Sequence, residues 1–379
     1  METGGIRELT IENVHRTRSS FIPYIYITHT KDTHTIVMQI TRDISLLHHN
    51  TFGIDIKAKA LVRYDSAEEL TELVRRGIGD LPVPLLHIGE GSNLLFMSDF
   101  EGTVLLSNIR EAEIVSEENN AILVRVGSGW KMDEFIAHAI SQGWYGLENL
   151  SHIPGQVGAS AVQNIGAYGV EAGDMIHAVN CISLEDGSAR TFTHQECAFA
   201  YRHSIFKTPQ CRGRYAVVSV EYALSRVFSP NLEYRGIRQS LDEQGISVQN
   251  LTAAEFRKTI VGIRENKLPD PKIQGNAGSF FMNPVIGMDA VKGLLSRYPE
   301  MPHYEVDADH VKIPAAWLIE QCGWKGKALG PAGVHARQPL VLVNLGGAKG
   351  ADIQRLSSAI QADVYDKFNI NIHPEVNFI

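Results

Sequence analysis

The chain has 379 residues, 44% of them hydrophobic and 21% charged, as expected for a soluble globular protein of two or three domains. A formal net charge of −8, without any basic run, argues against a general nucleic-acid surface. No apolar run approaches the ~20 residues of a membrane helix, and the four cysteines lack CxxC spacing, so we expect a cytoplasmic protein.

Residues 1–37 differ from the rest of the chain in having scattered charge, no periodicity and no helix caps. We predict a disordered or non-native N-terminal extension there. Met38 directly precedes a regular segment, so it is the candidate for the physiological start. Sequencing the N-terminus of the natively expressed protein tests this, and an intact Met1 or Glu2 terminus would refute it.

The following segments alternate between short strands and helices. We predict buried strands at PLLHIG, GTVLLS and AILVRVG, and a helix at KMDEFIAHAISQG. Capping boxes at Ser66 and Thr252 predict two further helix starts. The second of these helices ends at about Lys267, because two X-Pro pairs follow at residues 268–271.

The segment GEGSN, Gly89–Asn93, is called here the first glycine loop. It exposes backbone N–H groups and two side-chain donors, which suits a diphosphate. It is not a Rossmann fingerprint, because Leu94 stands where the third glycine would fall and a strand follows. It is not a P-loop either, because no Gly-Lys-Ser/Thr follows. A tight strand-to-strand turn remains the alternative.

The segment IPGQVGASAVQNIGAYG, residues 153–169, is called here the second glycine segment. Its loop surface is almost without side chains, so a large flat cofactor could lie against its backbone. Close packing of a helix on another helix or on a sheet also selects small residues. Both interpretations stay open on the sequence alone.

A third segment, GNAGSFFMNP at residues 275–284, contains one hydroxyl group, Ser279, between small residues and two aromatic residues. The glycines allow the backbone to approach a ligand closely, and Phe280 and Phe281 can exclude water. These features suit a serine that gives a proton to a bound intermediate. The alternative is an ordinary turn in which the hydroxyl satisfies a backbone group.

Isolated charged residues are weaker candidates, because most such residues lie on solvated surfaces. Arg202 lies in YRHSIFK, and Glu375 lies in PEVNFI, where alternation predicts a strand. Arg264 and Lys267 are three residues apart on one predicted helix face, from which both can reach one anion. The fifteen histidines show no HExxH or comparable spacing, so a metal site has no support.

Taken in order, the motifs closely resemble the UDP-N-acetylenolpyruvoylglucosamine reductase (MurB) family. They are HNTFGID, GEGSN, GLENLSHIPGQVGASAVQNIGAYG, YRHSIFK, KLPDPKIQGNAGSFFMNP and PEVNFI, and the resemblance runs from about Asn50 to Ile379. Tyr234 in NLEYRGI, and serine instead of cysteine at position 279, resemble the type I form. Asn377 is a departure, because relatives often carry arginine beside the glutamate.

The resemblance implies an α+β fold with a two-part FAD-binding region of the vanillyl-alcohol-oxidase/PCMH type and a C-terminal α+β substrate-binding domain. FAD-binding subdomain 1 would span residues 38–110 and be completed by about 366–379. FAD-binding subdomain 2 would span residues 111–268, and the substrate-binding domain residues 269–365.

The implied activity is that of an FAD-dependent oxidoreductase of peptidoglycan precursor synthesis, UDP-N-acetylmuramate dehydrogenase. NADPH would reduce non-covalently bound FAD, which would pass hydride to UDP-N-acetylglucosamine enolpyruvate and so give UDP-N-acetylmuramate. Arg202 and Glu375 would stabilise the enolic intermediate, and Ser279 would protonate it. The alternatives are another flavin oxidoreductase, such as an oxidase, and a non-catalytic nucleotide-sugar binding protein; the complete catalytic set argues against both. We expect a monomer with no nucleic-acid, membrane or metal partner.

The resemblance also assigns binding positions. Those for FAD are Gly89, Glu90, Gly91, Ser92, Asn93, Ile153, Pro154, Gly155, Gly158, Ala159, Asn164, Gly166, Ala167, Tyr168 and Gly169. Those for the UDP-sugar are Tyr234, Arg264, Lys267, Asn283 and Gln338.

Overall fold

The structure is a computed structural model that describes residues 7–8, 24–29, 35–76 and 81–379. The predicted N-terminal extension, residues 1–37, lies mostly outside the described residues, so its character stays a prediction. The strand that contains Met38 begins at Thr35.

The strands of the described part of the chain are short in most cases. They are β1 (Arg7–Glu8), β2 (Tyr24–His29), β3 (Thr35–Ser45), β4 (Lys57–Tyr64), β5 (Leu85–Ile88), β6 (Leu94–Leu95), β7 (Phe100–Ser107), β8 (Ala112–Glu118), β9 (Ala121–Gly127), β10 (Gly166–Ala167), β11 (Val170–Glu171), β12 (Ile176–Ser183), β13 (Ala189–Thr193), β14 (Tyr215–Ser225), β15 (Asn276–Ser279), β16 (Val285–Gly287), β17 (Tyr304–Glu305), β18 (His310–Lys312), β19 (Ala328–Leu329), β20 (Ala332–Val334), β21 (Val341–Asn344) and β22 (Asn377–Phe378).

The α-helices of the same residues are α1 (Ala67–Arg75), α2 (Met132–Ser141), α3 (Val157–Gln163), α4 (His194–Cys197), α5 (Arg235–Glu243), α6 (Ala253–Lys267), α7 (Met288–Arg297), α8 (Ala315–Gln321) and α9 (Gly350–Phe368). Short 3-10 turns occupy Leu47–His49, Glu148–Leu150, Ala172–Asp174, Ile205–Lys207 and Val248–Asn250.

The chain divides into two compact units. Unit 1 comprises Met1–Ile44, Lys57–Glu90 and Phe100–Ile263, and unit 2 comprises Ser45–Ile56, Gly91–Asp99 and Arg264–Ile379. The four-part domain division that the resemblance implies stays a prediction.

Unit 1 contains a six-stranded sheet with the order β1-β2-β3-β4-β7-β5 and a five-stranded sheet with the order β13-β12-β14-β9-β8. In the first sheet β4 and β5 both pair with β7 in parallel, while the pairs of the second sheet are antiparallel. The predicted strands PLLHIG, GTVLLS and AILVRVG correspond to β5, β7 and β9, and the predicted helix corresponds to α2, so these predictions are confirmed.

Both predicted helix starts are capped where the sequence places them, but the capping box is complete only at Thr252, because Glu69 Oε2 accepts from Asp65 N at 2.7 Å and not from Ser66 N. Ser66 Oγ accepts a hydrogen bond from Glu69 N at 3.1 Å at the start of α1. Thr252 Oγ1 accepts from Glu255 N at 3.3 Å, and Glu255 Oε2 accepts from Thr252 N at 3.0 Å, at the start of α6. Each side chain satisfies an N–H group that the helix itself leaves unpaired.

An apolar core in unit 1 joins the antiparallel sheet to α2 and α3. Phe135 of α2 stacks on Tyr222 of β14 with ring centroids 5.8 Å apart, and both are fully buried. Burying one such side chain contributes about 1.5–3 kcal/mol. Because Val157 and Ala161 of α3 belong to the same core, this packing fixes the second glycine segment on the sheet.

Unit 2 combines a four-stranded sheet of order β15-β21-β20-β19, a three-stranded sheet of order β16-β18-β17 and the parallel pair β22-β6. Its longest helix, α9, buries Ile353, Leu356, Ile360 and Val364, a stripe with helical spacing. The helix ends where Asn369 adopts the left-handed conformation, with φ 55°.

Candidate active site

The first glycine loop has a backbone shape that only glycine can adopt at Gly91. Its φ is +66°, and a Cβ there would lie 2.1 Å from His49 O and 2.8 Å from Asn50 Cα. Thr51 N donates to Gly91 O at 3.3 Å. The loop is therefore pressed against residues 49–51, and its own amides keep a fixed direction.

Glu90 joins the two glycine-rich regions within unit 1. Its Oε2 accepts a hydrogen bond from Gly155 N at 2.8 Å, and Lys131 Nζ lies 3.5 Å from its Oε1. A Cβ on Gly89 would come within 3.3 Å of the Cβ atoms of Gln156 and Ala159. Within unit 1 the structure thus places Gly89 and Glu90 beside Gly155 and Ala159 of the second glycine segment.

The second glycine segment is not a continuous loop, because residues 157–163 form α3. Alanine favours helix, and Asn164, with φ 44°, ends α3 in the left-handed conformation. A Cβ on Gly158 would lie 2.8 Å from Ser128 Cβ. Close packing, the alternative left open by the sequence, therefore accounts for the small residue at this position.

One buried hydroxyl group fits an additional polar ligand. Thr51 Oγ1 is buried and has no hydrogen-bond partner among the described residues, although it lies next to Gly91 in unit 2. An unsatisfied buried hydroxyl costs about 1–3 kcal/mol, which a ligand atom would offset. The donors of the first glycine loop and this hydroxyl fit a diphosphate-bearing cofactor such as FAD. Thr51 was not predicted as a ligand contact, because its only signal in the sequence was its place in HNTFGID.

Arg202 is held against the second glycine segment in unit 1. Its Nη2 donates to Gly166 O at 2.9 Å, and Nη1 lies 4.0 Å from Glu171 Oε1. Its φ of 53° is unusual for arginine and costs about 1–2 kcal/mol. Lys207 Nζ donates to Arg202 O at 2.8 Å and stabilises this conformation.

Asn164 supports the same region from inside the protein. Its Oδ1 accepts from Gly173 N at 2.7 Å, and its Nδ2 donates to Glu171 Oε2 at 2.7 Å and to Ala200 O at 2.9 Å. The side chain is fully buried. Its amide therefore fixes the end of α3 and the segment before Arg202.

Ser279 and Glu375 lie on adjoining segments of unit 2. Ser279 ends β15, opposite Val341 of β21. Glu375 N donates to the carbonyl oxygen of the residue that follows the serine, Phe280, at 2.8 Å. Phe280 and Phe281 are both buried, with ring centroids 5.1 Å apart, so they anchor the backbone that carries Ser279.

The first glycine loop is bonded to the Glu375 segment within unit 2. Asn93 Nδ2 donates to Glu375 O at 3.2 Å, while Asn93 O accepts from Asn377 N at 3.0 Å and from Asn377 Nδ2 at 3.2 Å. The side chain of Asn93 is thus bonded to the Glu375 main chain. The uncharged Asn377 amide binds backbone and adds no charge beside Glu375.

The predicted substrate residues occupy both units. Tyr234 in unit 1 is 42% exposed, and α6 ends at Lys267 as predicted, with Arg264 in its last turn. In unit 2, Asn283 Oδ1 accepts a hydrogen bond from Ala315 N at 2.9 Å at the start of α8. Gln338 lies in the connection between β20 and β21, and its side chain is largely buried.

His335 is a further residue of unit 2 that sequence analysis missed. It lies three residues before Gln338, and its buried Nδ1 has no hydrogen-bond partner in the described part of the chain. Burial, with a smaller contribution from Arg337, lowers the pKa of His335, so the ring is neutral at neutral pH. No spacing in the sequence distinguishes it from the other histidines.

A buried pair in unit 1 supports the strand that leads to the first glycine loop. Tyr64 OH lies 2.7 Å from His87 Nε2, two residues before Gly89. Burial lowers the pKa of His87 to about 4 and raises that of Tyr64. The neutral imidazole can therefore accept a hydrogen bond from the tyrosine hydroxyl, which keeps its proton at neutral pH.

Neither a candidate metal cluster nor a membrane-spanning helix occurs in the described ranges, residues 7–8, 24–29, 35–76 and 81–379. They contain no group of three or more His, Cys, Asp or Glu side chains arranged to hold a metal ion. None of their helices is both long and apolar enough to cross a bilayer.

Comparison with known proteins places the chain in a family. Residues 270–379 match the model of the UDP-N-acetylenolpyruvoylglucosamine reductase C-terminal domain, and residues 58–193 match that of an FAD binding domain. The UDP-N-acetylenolpyruvoylglucosamine reductase of Bacteroides fragilis strain YCH46 is 52% identical over 335 residues, covering 88% of this chain and 98% of the relative. That of Porphyromonas gingivalis strain ATCC 33277 is 44% identical over 342 residues, covering 90% and 100%.

A solved structure of the Thermus caldophilus UDP-N-acetylenolpyruvylglucosamine reductase matches with a TM-score of 0.61 and 22% identity, covering 90% of this chain and 99% of that one. At this identity the match shows the fold alone. The predicted α+β class with an FAD-binding region, and the predicted cofactor FAD, are confirmed by these findings, whereas the vanillyl-alcohol-oxidase type stays a prediction. The chain belongs to the UDP-N-acetylenolpyruvoylglucosamine reductase family.

Proposed function

We propose that the protein catalyses the NADPH-dependent reduction of UDP-N-acetylglucosamine enolpyruvate to UDP-N-acetylmuramate. The observation that carries this proposal is the hydrogen bond from Glu375 N to Phe280 O, in a chain of this family. It holds the main chains of the proposed proton donor, Ser279, and of a proposed stabilising acid side by side in unit 2.

FAD, when bound, accepts two electrons from NADPH and supplies them to the enolpyruvyl double bond. The first glycine loop, Thr51 and the second glycine segment would hold it without a covalent bond. The left-handed backbone at Gly91 would present N–H groups to a diphosphate, and the hydrogen bond from Gly155 N to Glu90 holds the start of the first glycine loop beside the second glycine segment.

Ser279 holds the proton that completes the reduction. A serine hydroxyl is a weak acid, so it can give up its proton only to a strongly basic centre such as the carbon next to the substrate carboxylate. Arg202 stabilises the negative charge that develops on that carboxylate, since a fixed cation is most effective where charge appears. Glu375, when protonated, donates a hydrogen bond to the same group.

The UDP-sugar is bound by Tyr234, Arg264, Lys267, Asn283 and Gln338. Arg264 and Lys267 share the last turn of α6, so two cations can hold an anionic group against the net charge of −8. We further infer that the protein works in the cytoplasm as a monomer in peptidoglycan precursor synthesis, without nucleic-acid or membrane partners.

Ser279→Ala tests the proposed chemistry in stopped-flow measurements of the two half-reactions. Flavin reduction by NADPH should stay near the wild-type rate, while reoxidation by the enolpyruvyl substrate should slow about 10²–10⁴-fold, the usual contribution of a general acid. Ser296→Ala is the matched control, because Ser296 lies on the exposed face of α7 in the same unit and its Oγ donates only to Lys292 O. Equal losses in both half-reactions would contradict the role of Ser279.

A further inference from the structure

Asn149 is a buried side chain that joins two functional segments of unit 1. It lies in the 3-10 turn Glu148–Leu150 and is 3% exposed. Its Nδ2 donates to Tyr168 O at 3.1 Å and to Asn231 O at 3.0 Å. Tyr168 belongs to the second glycine segment, and Asn231 lies three residues before Tyr234. One amide group therefore ties both segments together.

Asn231 adds a second connection between the same segments. Its Nδ2 donates to Gly169 O at 3.3 Å, and its Oδ1 accepts from Glu233 N at 3.0 Å. The first bond reaches the second glycine segment, and the second shapes the turn that leads to Tyr234. The ring of Tyr234 then meets the ring of Tyr168 edge to face, with centroids 5.1 Å apart.

The backbone of Tyr168 depends on this support. Its φ of 52° lies in the left-handed region, which costs a non-glycine residue free energy and persists only where the surroundings hold it. The Asn149 amide binds the carbonyl group of this residue. Loss of the amide would leave two carbonyl groups without that donor and would release the strained backbone.

We propose that Asn149 is a positioning residue for Tyr234. Its amide binds the Tyr168 and Asn231 carbonyl groups together. Residues 231–234 are therefore held in a fixed position against the second glycine segment. The ring of Tyr234, which contacts the ring of Tyr168 and is partly exposed, then meets a ligand in one orientation. The expected effect on substrate affinity rests on the proposed function, because it requires that Tyr234 contacts the UDP-sugar. The hydrogen-bonded connection between the two segments does not depend on that function.

The first test is hydrogen exchange of residues 228–236 in the FAD-loaded protein. Asn149→Ala should raise amide exchange there at least about tenfold, because both bridging bonds are lost. Asn180→Ala is the matched control: Asn180 Nδ2 also makes two hydrogen bonds in unit 1, to Ser219 Oγ and Glu221 Oε1, but not to either segment. Unchanged exchange in Asn149→Ala, or an equal increase in both variants, would overturn the proposal.

The second test separates positioning from general destabilisation. Asn149→Ala should raise the KM for the enolpyruvyl sugar nucleotide about 10- to 100-fold, with NADPH reduction of the flavin within about twofold of wild type. In a Tyr234→Ala background the same substitution should change KM by less than about twofold. A full additional KM increase in that background would refute the role.

Two outcomes, a variant that does not fold and a wild type without the proposed activity, need separate measurements. If Asn149→Ala does not fold, Asn149→Leu keeps nearly the same side-chain volume, still removes the donor to Tyr168 O and Asn231 O, and should give the same changes. No change in exchange or KM in that variant would overturn the proposal. If the wild-type protein does not reduce the sugar nucleotide, the proposed function fails, and the exchange measurement alone decides the connection between the segments.

Discussion

Gly91→Ala perturbs the backbone that we expect to bind the FAD diphosphate. The added Cβ would lie 2.1 Å from His49 O, closer than Cβ atoms come to other atoms, so the loop or the 3-10 turn must shift by about 1 Å. The left-handed φ of +66° adds about 1–2 kcal/mol of strain. The shift also moves the amides out of their donor positions.

Gly53→Ala is the matched control in the same unit. Gly53 has nearly the same φ, +63°, but a Cβ there meets nothing within 4 Å. The control therefore carries the strain of about 1–2 kcal/mol without the collision. The difference between the two variants isolates the displacement of the first glycine loop, which we expect to cost a further ~1–3 kcal/mol.

The assays are urea unfolding of the apoproteins and fluorescence titration with FAD. Gly91→Ala should lose about 2–5 kcal/mol of unfolding free energy and bind FAD about 10- to 100-fold more weakly, since each 1.4 kcal/mol is a factor of ten. Gly53→Ala should bind FAD within about twofold of wild type. Wild-type FAD affinity in Gly91→Ala would refute the assignment of this loop.

Three other substitutions test separate contacts. The lowered pKa of His87 means that the unfolded chain binds more protons between pH 6.5 and about 4, so the wild type loses stability as pH falls through that range. His87→Gln still accepts a hydrogen bond from Tyr64 OH. Between pH 7 and pH 5 its free energy of unfolding, measured with urea, should fall by about 1–3 kcal/mol less than that of the wild type. An equal fall in both proteins would contradict this. Asn377→Ala removes the side-chain hydrogen bond to Asn93 O and leaves the backbone one. Flavin reoxidation should slow about 2- to 10-fold while FAD affinity stays unchanged. Weaker FAD binding with normal reoxidation would contradict this expectation. Thr51→Val should leave the apoprotein as stable or more stable yet weaken FAD binding about tenfold by titration, and unchanged affinity would exclude a ligand contact.

Local patterns predicted the elements that carry the site. Ser66 and Thr252 each accept a hydrogen bond from the backbone N–H group three residues later, at the start of their helix. The strand predicted at AILVRVG is β9. Such features depend on neighbours in the chain, so the sequence alone contains the needed information. The helix inside the second glycine segment was not predicted, because its glycines outweighed the alanines that favour α3.

The contacts that organise the site are long-range and were not predictable. Asn93 Nδ2 bonds Glu375 O across 282 positions, and Asn149 bonds Asn231 O across 82. An asparagine in a loop can bind its own backbone, a ligand or a distant carbonyl group, and the sequence does not distinguish these cases. Only the folded arrangement shows which of these bonds each amide makes.

The proposed function requires that reduced flavin in this protein transfers its electrons to the enolpyruvyl sugar nucleotide. The direct measurement is anaerobic stopped-flow mixing of the NADPH-reduced holoenzyme with UDP-N-acetylglucosamine enolpyruvate. We expect the oxidised-flavin absorbance to return at a rate that rises and saturates with substrate, with one UDP-N-acetylmuramate formed per flavin. Flavin that stays reduced with the sugar nucleotide but is reoxidised by oxygen would contradict the account and favour an oxidase.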